Sequence, residues 1–168
     1  MPPPAPQAVL IGGANGAGKT TFARELVPLA FPQARFLNAD EIAREGYAPL
    51  GAGRELLRRL ADAVAARNDF VLETTLSSAR YARQVPAWRA SGYTVVLHFI
   101  EVPDADFAVA RVAARVAAGG HAVPEADIRR RYARGLRLFE EAYKPVVDRW
   151  CHWRTDEKGL SLADRSDP

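Results

Sequence analysis

One stretch near the start of the chain decides the fold: Gly13-Ala14-Asn15-Gly16-Ala17-Gly18-Lys19-Thr20. It matches the pattern G-x-x-x-x-G-K-[ST] at every defined position. An apolar run over residues 8–11 leads directly into it, and a helical pattern over residues 19–29 leads directly out. Glycines let backbone N–H groups turn inward around an anion, and the following helix adds its positive end. The stretch therefore predicts a phosphate-binding loop between a buried strand and a helix.

The side chains at the end of this loop indicate which phosphate compound it binds. Lys19 would contact the β- and γ-phosphates of a nucleoside triphosphate, and the Thr20 hydroxyl would ligate Mg²⁺. We therefore expect ATP or GTP, together with Mg²⁺, as cofactors. The predicted nucleotide-binding residues are Gly13, Ala14, Asn15, Gly16, Ala17, Gly18, Lys19, Thr20 and Thr21. A glycine-rich turn without a nucleotide is the alternative, and the demanding pattern argues against it.

Short apolar runs alternate with helical patterns along the rest of the chain. The strand candidates cover residues 8–11, 35–38, 70–74, 94–100 and 150–154, and the helix candidates cover 19–29, 53–67, 80–91, 104–118 and 125–143. Most of the strand candidates are continuously apolar, as strands buried on both faces are. This alternation predicts an α/β fold, in which helices cover a parallel sheet.

Length and composition limit the organisation of the chain. The 168 residues, 48% of them hydrophobic, suffice for one domain with a substantial core. We expect a single domain over residues 8–155, a disordered proline-rich lead over 1–7 and an irregular tail over 156–168. One cysteine excludes an internal disulfide, and the three histidines show no metal-ligand spacing. The first apolar run is too short for a signal peptide or membrane span, so we expect a cytoplasmic protein without membrane contact.

Polar side chains follow the second and third strand candidates. Ligands of open parallel sheets bind beyond the carboxyl ends of the strands. A carboxylate there can accept the proton of an attacking hydroxyl, and another can hold magnesium and its water shell. We predict Asp40 as the catalytic base and Glu73 as a metal-site residue beside Thr20. The predicted substrate-binding residues are Asn38, Asp40, Glu41, Glu73, Thr74 and Thr75.

Structural roles compete with these assignments. Asp40 could instead cap a short helical turn over residues 41–44, a role compatible with catalysis. Glu73 could be a charge at a strand end that pairs with an arginine. Thr74 and Thr75 are either substrate contacts or local hydrogen-bonding residues.

The basic residues are unevenly distributed. The chain has 20 arginines but three lysines, and residues 111–137 contain seven arginines against two acids. Two glycines, Gly119 and Gly120, separate the two helix candidates of this region and would tolerate hinge motion. We predict a lid over about residues 115–131, in which Arg115, Arg131 and Arg134 neutralise a transferring phosphoryl group. The alternative is a solvated helix surface, which we favour for Arg130 and Arg137.

Four segments resemble the short members of the zeta-toxin family of P-loop kinases. They are residues 11–21, 36–42, 70–76 and 119–125 with the following 128–132, in matching order. The resemblance implies a three-layer kinase-like fold with five parallel strands in the order 2-3-1-4-5 and a helical lid. It also implies ATP or GTP with Mg²⁺, phosphorylation of a hydroxyl, Asp40 as base, and contacts of Lys19 and lid arginines with phosphates.

Known members of that family phosphorylate the sugar of UDP-N-acetylglucosamine. The hypothesis for this chain is therefore an ATP-dependent phosphotransferase acting on a small hydroxylated metabolite, with a UDP-sugar as one candidate acceptor. Toxicity and an antitoxin partner are not carried over, because this chain is much shorter than those toxins.

Two alternatives remain open from the sequence. A regulatory NTPase would use water as acceptor and change its affinity for a partner with the nucleotide state. A polynucleotide 5′-hydroxyl kinase would use the arginine-rich face for a phosphate backbone. The formal net charge of +3 and the lack of a nucleic-acid module argue against a nucleic-acid partner.

Overall fold

Six strands form one sheet in the order β2-β3-β1-β4-β5-β6. The computed structural model describes residues 4–166. The strands are β1 (Gln7–Gly13), β2 (Arg35–Leu37), β3 (Phe70–Thr74), β4 (Thr94–Glu101), β5 (Arg149–Asp156) and β6 (Gly159–Arg165). The first five are parallel, and β6 pairs antiparallel with β5. The predicted α/β class and the order 2-3-1-4-5 are confirmed, and the structure adds a sixth strand.

Helices cover both faces of this sheet. They are α1 (Lys19–Ala30), α2 (Ala39–Arg44), α3 (Pro49–Ala65), α4 (Val85–Ala90), α5 (Ala105–Ala117) and α6 (Glu125–Leu138), the last continued by a π-helical turn over Phe139–Tyr143. Alternate side chains of β1 point to opposite faces. Ala8 and Leu10 pack with α2, α3, α4 and the π-helical turn, whereas Val9 and Ile11 pack with α1, α5 and Ile128 of α6. The result is the three-layer arrangement expected from the sequence.

The ends of the chain differ from the sequence prediction. β1 begins at Gln7, inside the predicted lead, and residues 1–3 of that lead lie outside the described residues. The predicted tail contains β6, joined to β5 by a tight turn in which Asp156 Oδ1 accepts a hydrogen bond from Lys158 N–H. Every residue of β6 is exposed. An exposed edge strand needs no apolar run, which is why the pattern of residues 159–165 did not reveal it.

The two glycines at the proposed hinge end a helix. Gly119 adopts a positive φ of 89°, and Gly120 N–H donates to the Arg115 carbonyl oxygen at 2.9 Å. This is the glycine cap by which many helices terminate. Hinge motion here stays a prediction.

Within residues 4–166, no helix is both long enough and apolar enough to cross a membrane.

Candidate active site

The phosphate-binding loop runs from Gly13 to Gly18, between β1 and α1. Gly13 and Gly16 have positive φ values of 149° and 81°, a region that side chains disfavour. A Cβ atom at Gly13 would lie 2.5 Å from the Ile100 carbonyl oxygen, and one at Gly16 would lie 2.8 Å from that of Ala108. Glycine is therefore required twice, because the loop packs directly against the end of β4 and the first turn of α5.

Lys19 lies inside this loop and is 8% exposed. Its ammonium group donates a hydrogen bond from Nζ to the Ala14 carbonyl oxygen at 2.9 Å. Burial lowers the pKa of Lys19, while the charges of Glu73 and Asp40 oppose this shift. A cation held among carboxylates and loop amides is suited to binding an anion that enters the loop.

A hydrogen-bonded chain joins three elements beside the lysine. The Thr20 hydroxyl donates to the Glu73 carboxylate, with 3.0 Å to Oε1 and 3.1 Å to Oε2. Asn38 Nδ2 donates to Glu73 Oε2 at 2.7 Å. A hydroxyl and a carboxylate are the oxygen ligands that Mg²⁺ accepts, so Thr20 and Glu73 fit the predicted metal site. Among the described residues 4–166, Glu73 bonds to Thr20 and Asn38 and forms no ion pair with an arginine.

The helix that carries Asp40 is capped by a different residue. Asn38 Oδ1 accepts hydrogen bonds from the Asp40 and Glu41 N–H groups at 2.7 Å and 3.2 Å, so Asn38 is the N-cap of α2. The competing role of Asp40 as a cap is therefore wrong. Its side chain is exposed and lines the cavities on either side of it.

Asp40 lines several cavities, two of which also border the phosphate loop. The phosphate cavity, of about 240 Å³, is lined by Asn15, Gly16, Gly18, Lys19, Thr20, Thr21, Asp40, Glu73, Arg111 and Arg115. The acceptor cavity, of about 330 Å³, is lined by Asn15, Lys19, Asn38, Ala39, Asp40, Leu56, Glu73, Thr74, Thr75, Ser77, Tyr81 and Arg131. Four side chains belong to both: Asn15, Lys19, Asp40 and Glu73. The two cavities therefore adjoin each other at the end of the phosphate loop.

The predicted substrate residues are only partly brought together. Asn38, Asp40, Glu73, Thr74 and Thr75 line the acceptor cavity, whereas Glu41 lines neither cavity. Both threonines also make local bonds. Thr74 Oγ1 accepts from Leu76 N–H at 3.2 Å, and the hydroxyls of Thr75 and Ser77 lie 2.8 Å apart.

The lid arginines divide into different environments. Arg131 donates to Asn15 Oδ1 at 3.2 Å, so α6 contacts the phosphate loop directly. Arg115 lines the phosphate cavity and donates to the His121 carbonyl oxygen at 3.1 Å. Arg134, predicted as catalytic, is exposed and lines neither cavity. Positions three apart share a helix face, so the spacing alone does not separate the two arginines. Arg131 contacts the phosphate loop, whereas Arg134, one turn further along α6, does not line the site.

The spacing of four places Arg111 and Arg115 on one helix face, from which the sequence suggests contact with a transferring phosphoryl group, and both line the phosphate cavity. Sequence reasoning missed two residues of the site. Ser77 and Tyr81 line the acceptor cavity from the segment after β3, where no motif marks them. Burial raises the pKa of Tyr81, so its phenol stays protonated and can donate a hydrogen bond.

A close backbone contact holds α6 over the acceptor cavity. A Cβ atom at Gly135 would lie 2.9 Å from the Thr75 carbonyl oxygen. Gly135 is buried, and the missing side chain lets α6 approach the end of β3. The contact sets how Arg131, one turn earlier on α6, reaches the loop.

Comparisons with known proteins show which sequences and structures this chain resembles. The sequence model of a family described as AAA domain, AAA_33, matches residues 9–134. An uncharacterized protein of Haemophilus influenzae is 27% identical over 135 residues, which cover 75% of this chain and 92% of that protein.

Solved structures share the fold at low sequence identity. A chain from the PezAT chromosomal toxin–antitoxin system of Streptococcus pneumoniae has a TM-score of 0.67 and 17% identity, covering 96% of this chain and 72% of that one. A chain of the ATP-bound AvrRxo1-ORF1:-ORF2 complex has a TM-score of 0.70 and 14% identity, covering 96% and 58%. A gluconokinase from Sinorhizobium meliloti has a TM-score of 0.57 and 14% identity, covering 90% and 84%.

Proposed function

The chain belongs to the AAA domain family AAA_33 and is a P-loop kinase-like domain, and from this premise we propose that it transfers the γ-phosphoryl group of ATP or GTP to a hydroxyl group of a small metabolite. One observation carries the proposal. Asp40 lies where the phosphate cavity and the acceptor cavity meet. A carboxylate at such a junction is placed to receive the proton of a hydroxyl that attacks the γ-phosphate.

The proposed reaction exchanges one P–O bond for another. The acceptor oxygen forms a bond to the γ-phosphorus, its proton passes to the Asp40 carboxylate, and the bond to the β–γ bridging oxygen breaks to leave the nucleoside diphosphate. Lys19, Arg111 and Arg115 line the phosphate cavity, and Arg131 lines the acceptor cavity. These cations would neutralise the charge on the transferring group. Mg²⁺, held by Thr20 and Glu73, would supply further charge neutralisation when bound.

The far wall of the acceptor cavity supports a hydroxylated acceptor. Thr75, Ser77 and Tyr81 present neutral hydroxyl groups, and Leu56 presents an apolar surface. Such a wall pairs with the hydroxyls and C–H faces of an uncharged ring. An adjoining cavity of about 380 Å³, lined in part by Arg44, Tyr47 and His121, also touches Asp40. A UDP-sugar acceptor would place its sugar in the first cavity and its nucleotide in the second.

The proposal names two ligands and no further partner. The nucleoside triphosphate and the hydroxylated acceptor are the proposed ligands. Arg129 and Arg130, on the outward side of α6, are engaged in ion pairs with acids of α5 and α6. This self-pairing reduces the charge available to a nucleic-acid backbone.

Replacement of Asp40 tests the assignment of the base. We expect Asp40→Asn to lower the rate of phosphotransfer by about 10²–10⁴-fold, the usual contribution of general base catalysis, with nucleotide affinity little changed. The measurement is transfer from labelled ATP across a panel of nucleotide sugars, nucleosides and small alcohols. Glu41→Gln is the matched control, because Glu41 is the neighbouring acid and lines neither cavity.

The same experiment separates the main alternative. Full phosphotransfer by Asp40→Asn would show that the base is wrongly assigned. Steady ATP hydrolysis that no acceptor changes would instead favour the regulatory NTPase, whose acceptor is water. Binding to RNA or DNA ends that weakens steeply with salt would favour the polynucleotide kinase.

A further inference from the structure

Asn38 makes more contacts than a helix cap requires. It is 5% exposed and lies between β2 and α2. Its Oδ1 accepts from two N–H groups of α2, and its Nδ2 donates to Glu73 on β3. Asparagine, aspartate and serine cap helices about equally well, so capping alone does not select asparagine. Of these three side chains, only the amide carries its acceptor for the helix and its donor for a carboxylate on separate atoms.

The contacts of Asn38 connect the two halves of the site. Glu73 accepts from Thr20 at the start of α1 and from Asn38 with the same carboxylate. Asn38 in turn holds the N–H of Asp40 at 2.7 Å. The hydrogen-bonded path from the phosphate loop to the proposed base therefore passes through two side chains, Glu73 and Asn38. The bond to a charged carboxylate is of the stronger kind.

We propose that Asn38 is a positioning residue that couples the metal–triphosphate side of the site to the placement of Asp40. This role of Asn38 rests on the proposed function, because the residue that Asn38 positions is the proposed base, Asp40. When Glu73 adjusts to a ligand at the phosphate side, its bond to Asn38 carries that adjustment to the first turn of α2. Asn38 also lines the acceptor cavity, so its contact with a substrate stays a prediction beside this role.

Two substitutions separate coupling from capping. Asn38→Asp keeps an oxygen for the α2 N–H groups but loses the donor to Glu73. Asn38→Ser also keeps a capping oxygen, adds no charge, and is too short to reach Glu73. The control is Asp104→Asn, which exchanges the same two residue types at the N-cap of α5, where Asp104 Oδ1 accepts from Phe107 N–H at 2.7 Å.

The first readout does not depend on activity. We expect the backbone amide NMR signals of Asp40 and Glu41 to shift when Mg²⁺ and a non-hydrolysable ATP analogue bind to the wild type. In Asn38→Asp and Asn38→Ser, this shift should fall at least twofold while the thermal unfolding midpoint changes little. Asp104→Asn should retain the wild-type shift. An undiminished shift in both Asn38 variants would overturn the coupling.

The second readout is the division between kcat and KM. A positioning role predicts at least a tenfold fall in kcat for both Asn38 variants, with KM for ATP changed less than about threefold. A loss in Asn38→Asp with wild-type kcat in Asn38→Ser would assign the effect to added charge and overturn the proposal. If the wild type transfers phosphate to no acceptor, the proposed function fails, and the NMR shift still decides whether Asn38 couples the two sides.

Discussion

At the scale of single residues, the candidate site depends on side chains that serve two neighbours at once. Glu73 accepts from Thr20 and Asn38, and Asn15 accepts from Arg131 of α6 while belonging to the phosphate loop. The sequence identified Lys19 from its motif, and Asp40 and Glu73 from their places after strands. It did not identify the second partner of each side chain, because that depends on how distant segments lie next to each other.

Outside the site, His98 is expected to make stability depend on pH. It lies on β4 beside Phe22, and its Nδ1 accepts from Trp153 Nε1 at 3.2 Å. Burial lowers the pKa of His98 to about 4, from an ordinary value of 6.5. The unfolded chain therefore binds a proton more readily, and stability falls as pH decreases from about 6.5 to about 4. The expected loss is up to about 3 kcal/mol.

The measurement is the free energy of unfolding by denaturant at several pH values between 4 and 7.5. His98→Gln should remove this part of the pH dependence, whereas His121→Gln should not, because His121 is exposed. The carboxylates titrate alike in all three proteins, so the difference between the curves isolates His98. Parallel curves for wild type and His98→Gln would contradict the prediction.

At the scale of secondary-structure elements, the packing of α6 against its neighbours is the feature that the sequence did not predict. A helical pattern places Arg131 and Arg134 on the surface, but their spacing does not fix the rotation of the helix. Two packing contacts fix it: Ile128 is buried against α5 and the sheet, and Gly135 lies against the Thr75 carbonyl. These contacts orient α6 so that Arg131 reaches Asn15, whereas Arg134, one turn further along the helix, is exposed.

Gly135→Ala tests the seating of α6. In a helix interior, alanine is about 1 kcal/mol more stabilising than glycine. At position 135, however, the added methyl group would lie 2.9 Å from the Thr75 carbonyl oxygen. We expect a net destabilisation of roughly 1–2 kcal/mol from overpacking, together with an altered contact between Arg131 and Asn15. The readouts are denaturant unfolding and KM for the acceptor.

Gly53→Ala in α3 is the matched control. A Cβ atom at Gly53 meets nothing within 4 Å, so this variant should gain up to about 1 kcal/mol of stability. Equal stabilisation by both substitutions would show that α6 is not held by the contact at Gly135.

At the scale of the whole molecule, the order of the five parallel strands could be predicted, but the edge strand β6 could not. The apolar runs of β1 and β3 are buried on both faces, and that of β4 is buried on one face and half-buried on the other. Burial of this kind requires apolar residues, so such strands can be predicted from the sequence. β6 has no buried residue, and its stabilisation comes from backbone pairing with β5. Backbone pairing leaves little mark on composition, so the sequence predicts β5 as a strand but an irregular tail where β6 lies.

Removal of residues 157–168 should expose the edge of β5. Six residue pairs join β6 to β5, and net contributions of about 1 kcal/mol per hydrogen bond suggest a loss of roughly 2–4 kcal/mol. An unpaired edge also invites pairing between molecules, so we expect concentration-dependent association in sedimentation experiments.

The control for this truncation is the double substitution of Leu160→Ser and Leu162→Ser. Both leucines are more than 40% exposed, so their loss should change stability by less than about 1 kcal/mol while the backbone pairing remains. If the truncated protein is as stable and as monomeric as this control, β6 does not protect the edge.

The central place of β1 in the sheet also has a kinetic consequence. Both neighbouring strands are distant from β1 in sequence, since Ala8 pairs with Phe70 on one side and Gln7 with Thr94 on the other. Pairings between such distant residues close long loops, and they slow folding relative to a chain of local contacts. The phosphate loop is the direct continuation of β1 and packs against Ile100 of β4, so we expect it to reach its final conformation only after β4 has docked. A chain that ends before β4 would thus contain the whole nucleotide motif without the packing that shapes the loop.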